Sequence, residues 1–270
     1  MAVSSADPAP ELVAALRAAG CVYAEEEAAL IEGAAREGGD LELMLARRVL
    51  GEPLEQVLGW AEFRGIRIRV TPGVFVPRRR TEILVELAVG LRPVPGEGTV
   101  VVDLCCGTGA IGVAVATSRP GVELHCADID PDAVACARLN VTMGQVHEGD
   151  LYDALPDDLR GRIDLLLVNA PYVPTDEIRL MPAEARLHEH HVALDGGADG
   201  LELHRRTAAG AREWLGPGGS LLVETSPRQA AGTARLCREA GLTAQVFGRD
   251  PVRVVRAISS GSGSSGRMTG

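Results

Sequence analysis

From Arg80 onward, short apolar runs alternate with longer amphipathic ones. "TVVVDL", "VELHCADI", "IDLLLVN" and "GSLLVET" are aliphatic and rich in β-branched residues, which predicts strands. "GAIGVAVATS", "PDAVACARLNV", "GLELHRRTAAGAREWL" and "RQAAGTARLCREAG" carry helical spacing between and after them. Apolar strands alternating with helices predict an α/β unit with a parallel sheet covered on both faces. The closing runs "LTAQVFG" and "VRVVRAI" are separated by a segment too short for a crossover helix. That last pair must therefore be antiparallel.

The first sixty residues follow a helical period instead. "PELVAALRAAG" ends at Gly20, and "AEEEAALIEGAAREGG" and "DLELMLARRVLGEP" follow. Asp40 is placed to cap the third helix, with Gly51 and Pro53 as its stop. "AEFRGIRIRVTPGVFVP" then alternates around Arg64-Gly65 as a hairpin does. The predicted division is a helical domain over 1–59, a hairpin linker over 60–79, an α/β domain over 80–258 and a flexible Gly/Ser tail over 259–270.

Composition narrows the function classes. The chain has 270 residues, a net charge of −10 and no lysine. Residues 1–60 hold 11 acids and 4 arginines, whereas 61–80 hold 6 arginines and 1 acid. Overall acidity argues against direct nucleic-acid binding, which needs a basic face. No apolar run reaches membrane-span length, and the N-terminus lacks a signal-peptide layout, so a cytoplasmic protein is expected. Six cysteines without a C-x-x-C pair read as reduced core residues. His188, His190 and His191 have no second ligand cluster at a familiar spacing, so no metal is expected.

"VVVDLCCGTGAIGVAVA" is a strand, a glycine turn and a helix. Gly107, Gly109 and Gly112 spell G-x-G-x-x-G, and Asp128 follows 21 residues after Gly107. This fits an NAD-dependent oxidoreductase, and it fits an S-adenosylmethionine (SAM) enzyme equally well, because both ligands carry an adenosine ribose. Three features favour SAM. Asp103 closes the first strand, where a carboxylate can orient a methionine end but would repel a pyrophosphate. The antiparallel ending departs from the plain dinucleotide fold. Asn169, Ala170, Pro171 and Tyr172 end a core strand, where ligands of such sheets gather.

That tetrapeptide suits methyl transfer to an amide. An amide nitrogen is a poor nucleophile, and two acceptors holding its N–H bonds can fix it and ease pyramidalisation. The Asn169 side-chain oxygen and the Ala170 carbonyl can be those acceptors. Pro171 stiffens the turn, and Tyr172 offers a flat face to the planar group.

Taken in order, "DLCCGTGAIGVAVA", "ADIDPDAVACARLN", "GDLYDAL", "VNAPYVP" and "HEHHVALDGGADGLELHRR" resemble the HemK-type protein-(glutamine) methyltransferases. "PLEQVLGWAEFRGIRIRVTPGVFVPRRRTEILVE" is similar to that family's linker hairpin and entry helix. The resemblance covers about Leu41 to Ala257. It implies a Rossmann-like class I methyltransferase with a mostly parallel seven-stranded sheet. It implies SAM held by Asp103, Cys105, Cys106, Gly107, Thr108, Gly109, Asp128, Ile129, Asp150, Leu151 and Asn169. It implies a protein substrate, the Gly-Gly-Gln glutamine of a peptide chain release factor, docked by the N-terminal helices of a monomeric enzyme. The sequence departs from the family at Cys105, Arg79, Arg80, Ala170 and His190-His191. An amino-methyltransferase of nucleic acid or of a small molecule is the nearest alternative, and a catalytically silent partner protein that kept the fold is another.

Overall fold

The computed structural model describes residues 8–91 and 97–259; the predicted tail lies outside the described residues except for Ser259. Four helices come first: α1 (Pro10–Ala18), α2 (Ala24–Arg36), α3 (Leu41–Val49) and α4 (Leu54–Leu58). Their apolar stripes meet in a core of their own around Leu16, Ala28, Ile31 and Met44. Asp40 caps α3, its carboxylate accepting the Leu43 N–H at 3.0 Å. The short α4 follows the Gly51–Pro53 stop.

The hairpin of β1 (Trp60–Phe63) and β2 (Ile66–Arg69) is antiparallel. Arg64 and Gly65 turn it with φ of 53° and 74°, the primed-turn geometry that matches strand twist. Phe63 and Ile68 bury their side chains in one core layer of the α/β unit.

That unit begins with α5 (Glu82–Val89), β3 (Val100–Leu104), α6 (Ala110–Ser118), β4 (Glu123–Asp128) and α7 (Pro131–Asn140). It continues through β5 (Gln145–Glu148), β6 (Ile163–Val168), α8 (Ala183–His188), α9 (Glu202–Trp214), β7 (Leu215–Thr225) and α10 (Ala230–Glu239). It closes with β8 (Thr243–Phe247) and β9 (Arg253–Ile258). The strands lie in the order β5-β4-β3-β6-β7-β9-β8, parallel as far as β7, with β9 inserted antiparallel between β7 and β8. This is the predicted Rossmann-like sheet of seven strands. β5 has no apolar run to announce it: "QVHE" holds one aliphatic residue and pairs only with β4 at the sheet edge.

Register decides where chemistry can gather. Leu104 lies opposite both Ala127 and Val168, so β4, β3 and β6 finish side by side. Cys105, Asp128 and Asn169, the residues that follow or end those strands, therefore meet at one edge of the sheet. No helix among the described residues is long and apolar enough to cross a membrane.

Leu166 is fully buried between the helical layers. Replacing it with alanine is expected to cost about 2–5 kcal/mol in urea unfolding with an unchanged m-value. A loss below about 1 kcal/mol would contradict this packing.

Candidate active site

After β3 the chain turns sharply through Cys105 (φ 55°), Gly107 (φ 54°) and Gly109 (φ 76°) into α6. Cys105 thus holds a left-handed conformation that a side chain disfavours by about 1 kcal/mol. Hydrogen bonds over-determine the loop. The Cys106 N–H donates to the Ala127 carbonyl at 3.1 Å, and the Gly109 N–H to the Cys106 carbonyl at 2.8 Å. The Gly107 N–H donates to Asp128 Oδ2 at 2.8 Å, while Asp128 Oδ1 accepts the Asp130 N–H at 3.0 Å. Burial raises the Asp128 pKa, and these N–H donors partly offset it.

The loop forms one wall of a cavity of about 600 Å³. Cys105, Cys106, Gly107, Thr108, Asp128, Ile129, Asp150 and Leu151 line it, together with Asn169, Ala170, Pro171 and Tyr172. Two residues expected there lie behind the wall. Gly109 backs onto Ala137 and Val141. Asp103 is fully buried beneath the loop, where its Oδ2 accepts the Gly112 N–H of α6 at 2.8 Å. Burial pushes the Asp103 carboxyl up to about 8, so at pH 7 it is mainly the neutral acid. Its position suits holding α6 against β3; it does not face the cavity. Leu151 takes φ 51°, and Asp150 is paired with Arg206, another wall residue, at 2.8 Å.

Several wall residues escaped the motif reading: Arg78, Arg80, Thr81, Arg206 and the segment 191–197. The only signal for them was their place in quoted segments such as "PRRRTE" and "DGGADG".

The turn after β6 is held from behind by a glycine strap over 194–200. The Val173 N–H donates to the Leu194 carbonyl at 3.3 Å, and the Gly196 N–H to the Val173 carbonyl at 2.8 Å. The Gln229 side-chain amide donates to the Tyr172 carbonyl at 2.8 Å. A Cβ on Gly196 would stand 2.8 Å from Tyr172 Cα and 2.9 Å from the Pro171 oxygen, so the two backbones touch. Among the described residues, nothing hydrogen-bonds the Asn169 side chain or the Ala170 carbonyl. Both residues line the cavity.

At the same end sits Glu224, 1% exposed near the end of β7. Burial pushes its carboxyl up to about 7, against the pull of Thr81, Arg80 and Tyr172, which it faces. Burial also raises the Tyr172 hydroxyl, and Glu224 adds to that shift. The Tyr172 ring lies 6.5 Å from the ring of His204, which is itself buried, with its pKa pushed down to about 4.

The donors of the cavity fit SAM. A Cβ placed on Gly107 would meet nothing within 4 Å, so that backbone is open to a ligand. Asp128 offers spare carboxylate lone pairs to a ribose diol. Asp128 and Asp150 would repel a pyrophosphate and attract a sulfonium, and Arg206 is already paired with Asp150. Asp130, Asp132 and His190 bring three donor atoms within 4.8 Å of one another, a juxtaposition that histidine spacing alone did not suggest.

Sheet order and cradle together define a class I SAM-dependent methyltransferase. The family model "Methyltransferase small domain" matches residues 65–199. The chain is 36% identical over 219 residues to a release factor glutamine methyltransferase of Geobacter sulfurreducens, covering 80% of this chain and 75% of that one. It is 35% identical to the Bradyrhizobium diazoefficiens protein of the same name, covering 92% of each. A methyltransferase structure from Pyrococcus furiosus shares the fold, with TM-score 0.54, 14% identity and coverage of 80% of this chain and 97% of that one. The chain belongs to the release factor glutamine methyltransferase family.

Glu224 gives a pH test. Its folded pKa of about 7 stands above the ordinary 4.5, so folding takes up a proton between those values. Its stabilising contribution is full below pH 4.5 and lost as pH rises through 7. Relative to wild type, Glu224→Gln should therefore be more stable at pH 8 than at pH 5 in chemical denaturation. An offset that does not change with pH would contradict the assignment.

Proposed function

We propose that this enzyme transfers a methyl group from SAM to the side-chain amide nitrogen of a protein glutamine, that of the Gly-Gly-Gln motif in a peptide chain release factor. One observation carries the reading. Asn169 and Ala170 line the cavity that also holds the cofactor cradle, and among the described residues neither the Asn169 side chain nor the Ala170 carbonyl has a hydrogen-bond partner. They supply the pair of acceptors that a primary amide needs. The relatives this chain matches over most of its length are named for the same substrate, which supports this reading.

SAM, when bound, supplies an electrophilic methyl group on its sulfonium. Asn169 and the Ala170 carbonyl take the two N–H bonds of the substrate amide and hold its nitrogen in place. Each N–H···O bond polarises the amide and makes the lone pair more available. Pro171 and the strap fix the carbonyl, so little reorganisation remains for the reaction itself. The Tyr172 ring packs against the planar amide. The methylated nitrogen is strongly acidic until it sheds a proton, so the site needs no strong base.

Helices α1–α4 form the docking surface for the release factor in this reading. These helices and the turns between them expose Val22, Tyr23, Leu43 and Leu50 and carry most of the acidic excess of the chain. All six cysteines are free thiols, as suits a monomeric enzyme working in the reducing cytoplasm.

Labelled SAM should mark a release factor and should fail to mark one whose acceptor glutamine is replaced; label that persists would sink the substrate. Asn169→Ala should lower kcat by about 100-fold or more without altering the fold. Gly196→Ala, which adds no polar group to the site, should also lower kcat, by about 10-fold or more, because its Cβ would displace Pro171 and Tyr172. Unchanged rates in both variants would refute the clamp.

A further inference from the structure

The imidazole of His190 links the segment after β4 to the segment that leads into the strap. Its Nδ1 lies 2.6 Å from Asp130 Oδ2. Asp130 is 9% exposed, and its main-chain N–H donates to Asp128, the same carboxylate that fastens the glycine loop. Asp130 Oδ1 is engaged separately, accepting the Asp132 N–H at the start of α7. On the other side, four residues of chain lead from His190 into the strap that holds Pro171 to Val173.

The surroundings leave this side chain one strong contact. A Cβ on Gly73 would overlap the imidazole, so the ring lies flush against that backbone. Asp132 is exposed, and its Oδ2 is 3.9 Å from Nε2. The His190 main chain is anchored independently, its N–H donating to the Gly73 carbonyl at 2.8 Å. Removing the ring therefore leaves the local backbone tied down.

We propose that His190 is a positioning residue whose contact with Asp130 latches the acceptor strap to the cofactor strand, so that ligand binding at Asp128 orders the turn at Asn169–Tyr172. The functional consequence rests on the acceptor reading of that turn; the latch itself does not. Because linkage is reciprocal, the bound acceptor in turn tightens the cofactor site.

Hydrogen–deuterium exchange of the full chain tests this, with and without saturating S-adenosylhomocysteine. A chelator is present throughout, so that a cation on Asp130, Asp132 and His190 cannot substitute for the latch. In wild type the ligand should slow exchange at 105–109 and 128–130, and also at 190–200 by about fivefold or more. In His190→Ala the protection should stop at the cofactor strand, with the thermal midpoint of the unliganded protein little changed. His190→Asn, whose amide can donate to Asp130, should restore protection of the strap. Equal strap protection in His190→Ala, or none in wild type, would overturn the latch. Coupled protection in an enzyme that leaves a release factor unlabelled would sink the acceptor assignment and leave the latch standing.

Discussion

The site depends on one close contact between two stretches of backbone. Gly196 and Gly200 lie against Pro171 and Tyr172 with no room for a Cβ between them. Side chains can shift by rotamer changes, but two main chains in contact cannot, so the turn at Asn169–Tyr172 inherits the rigidity of the sheet. Gln229 adds a hydrogen bond to the same carbonyl region from α10. The turn after β6 is therefore held by two separate parts of the chain, the strap and the start of α10.

The two ends of the cavity differ in electrostatic character. At the cradle, Asp128 and Asp150 keep a negative field where a positive sulfonium belongs. At the acceptor end, burial suppresses the charge of Glu224, and Arg80 sits nearby on the wall. The amide of the proposed substrate is neutral and would need fixed acceptors there rather than a strong field. Beneath both ends, Asp103 is kept neutral by burial and serves α6.

Sequence pattern exposed the glycine loop, Asp128 and the Asn169–Tyr172 turn, because each is a local signature in which strand, turn and polar residue follow within a few positions. It could not expose contacts made across the fold. Glu189 accepts from Arg78, 111 residues away, and Gln56 reaches the carbonyls of Val74 and His188. Asp103 was recognisable as a carboxylate at a strand end, but its inward direction depends on how α6 packs on β3. The strap glycines read as an ordinary turn until Tyr172 is placed against them. β5 lacked a signal because an edge strand of four residues needs little apolar surface.

Ala170 has a consequence for how this position can vary. Its side chain is 1% exposed and packs into the core, while the proposed clamp uses only its carbonyl. Volume, not reactivity, therefore limits what can stand there. A serine or glycine would keep the oxygen in place, whereas a leucine would lift it off the sheet. Stiffness at this turn can then come from the strap behind it rather than from the residue that stands at the position.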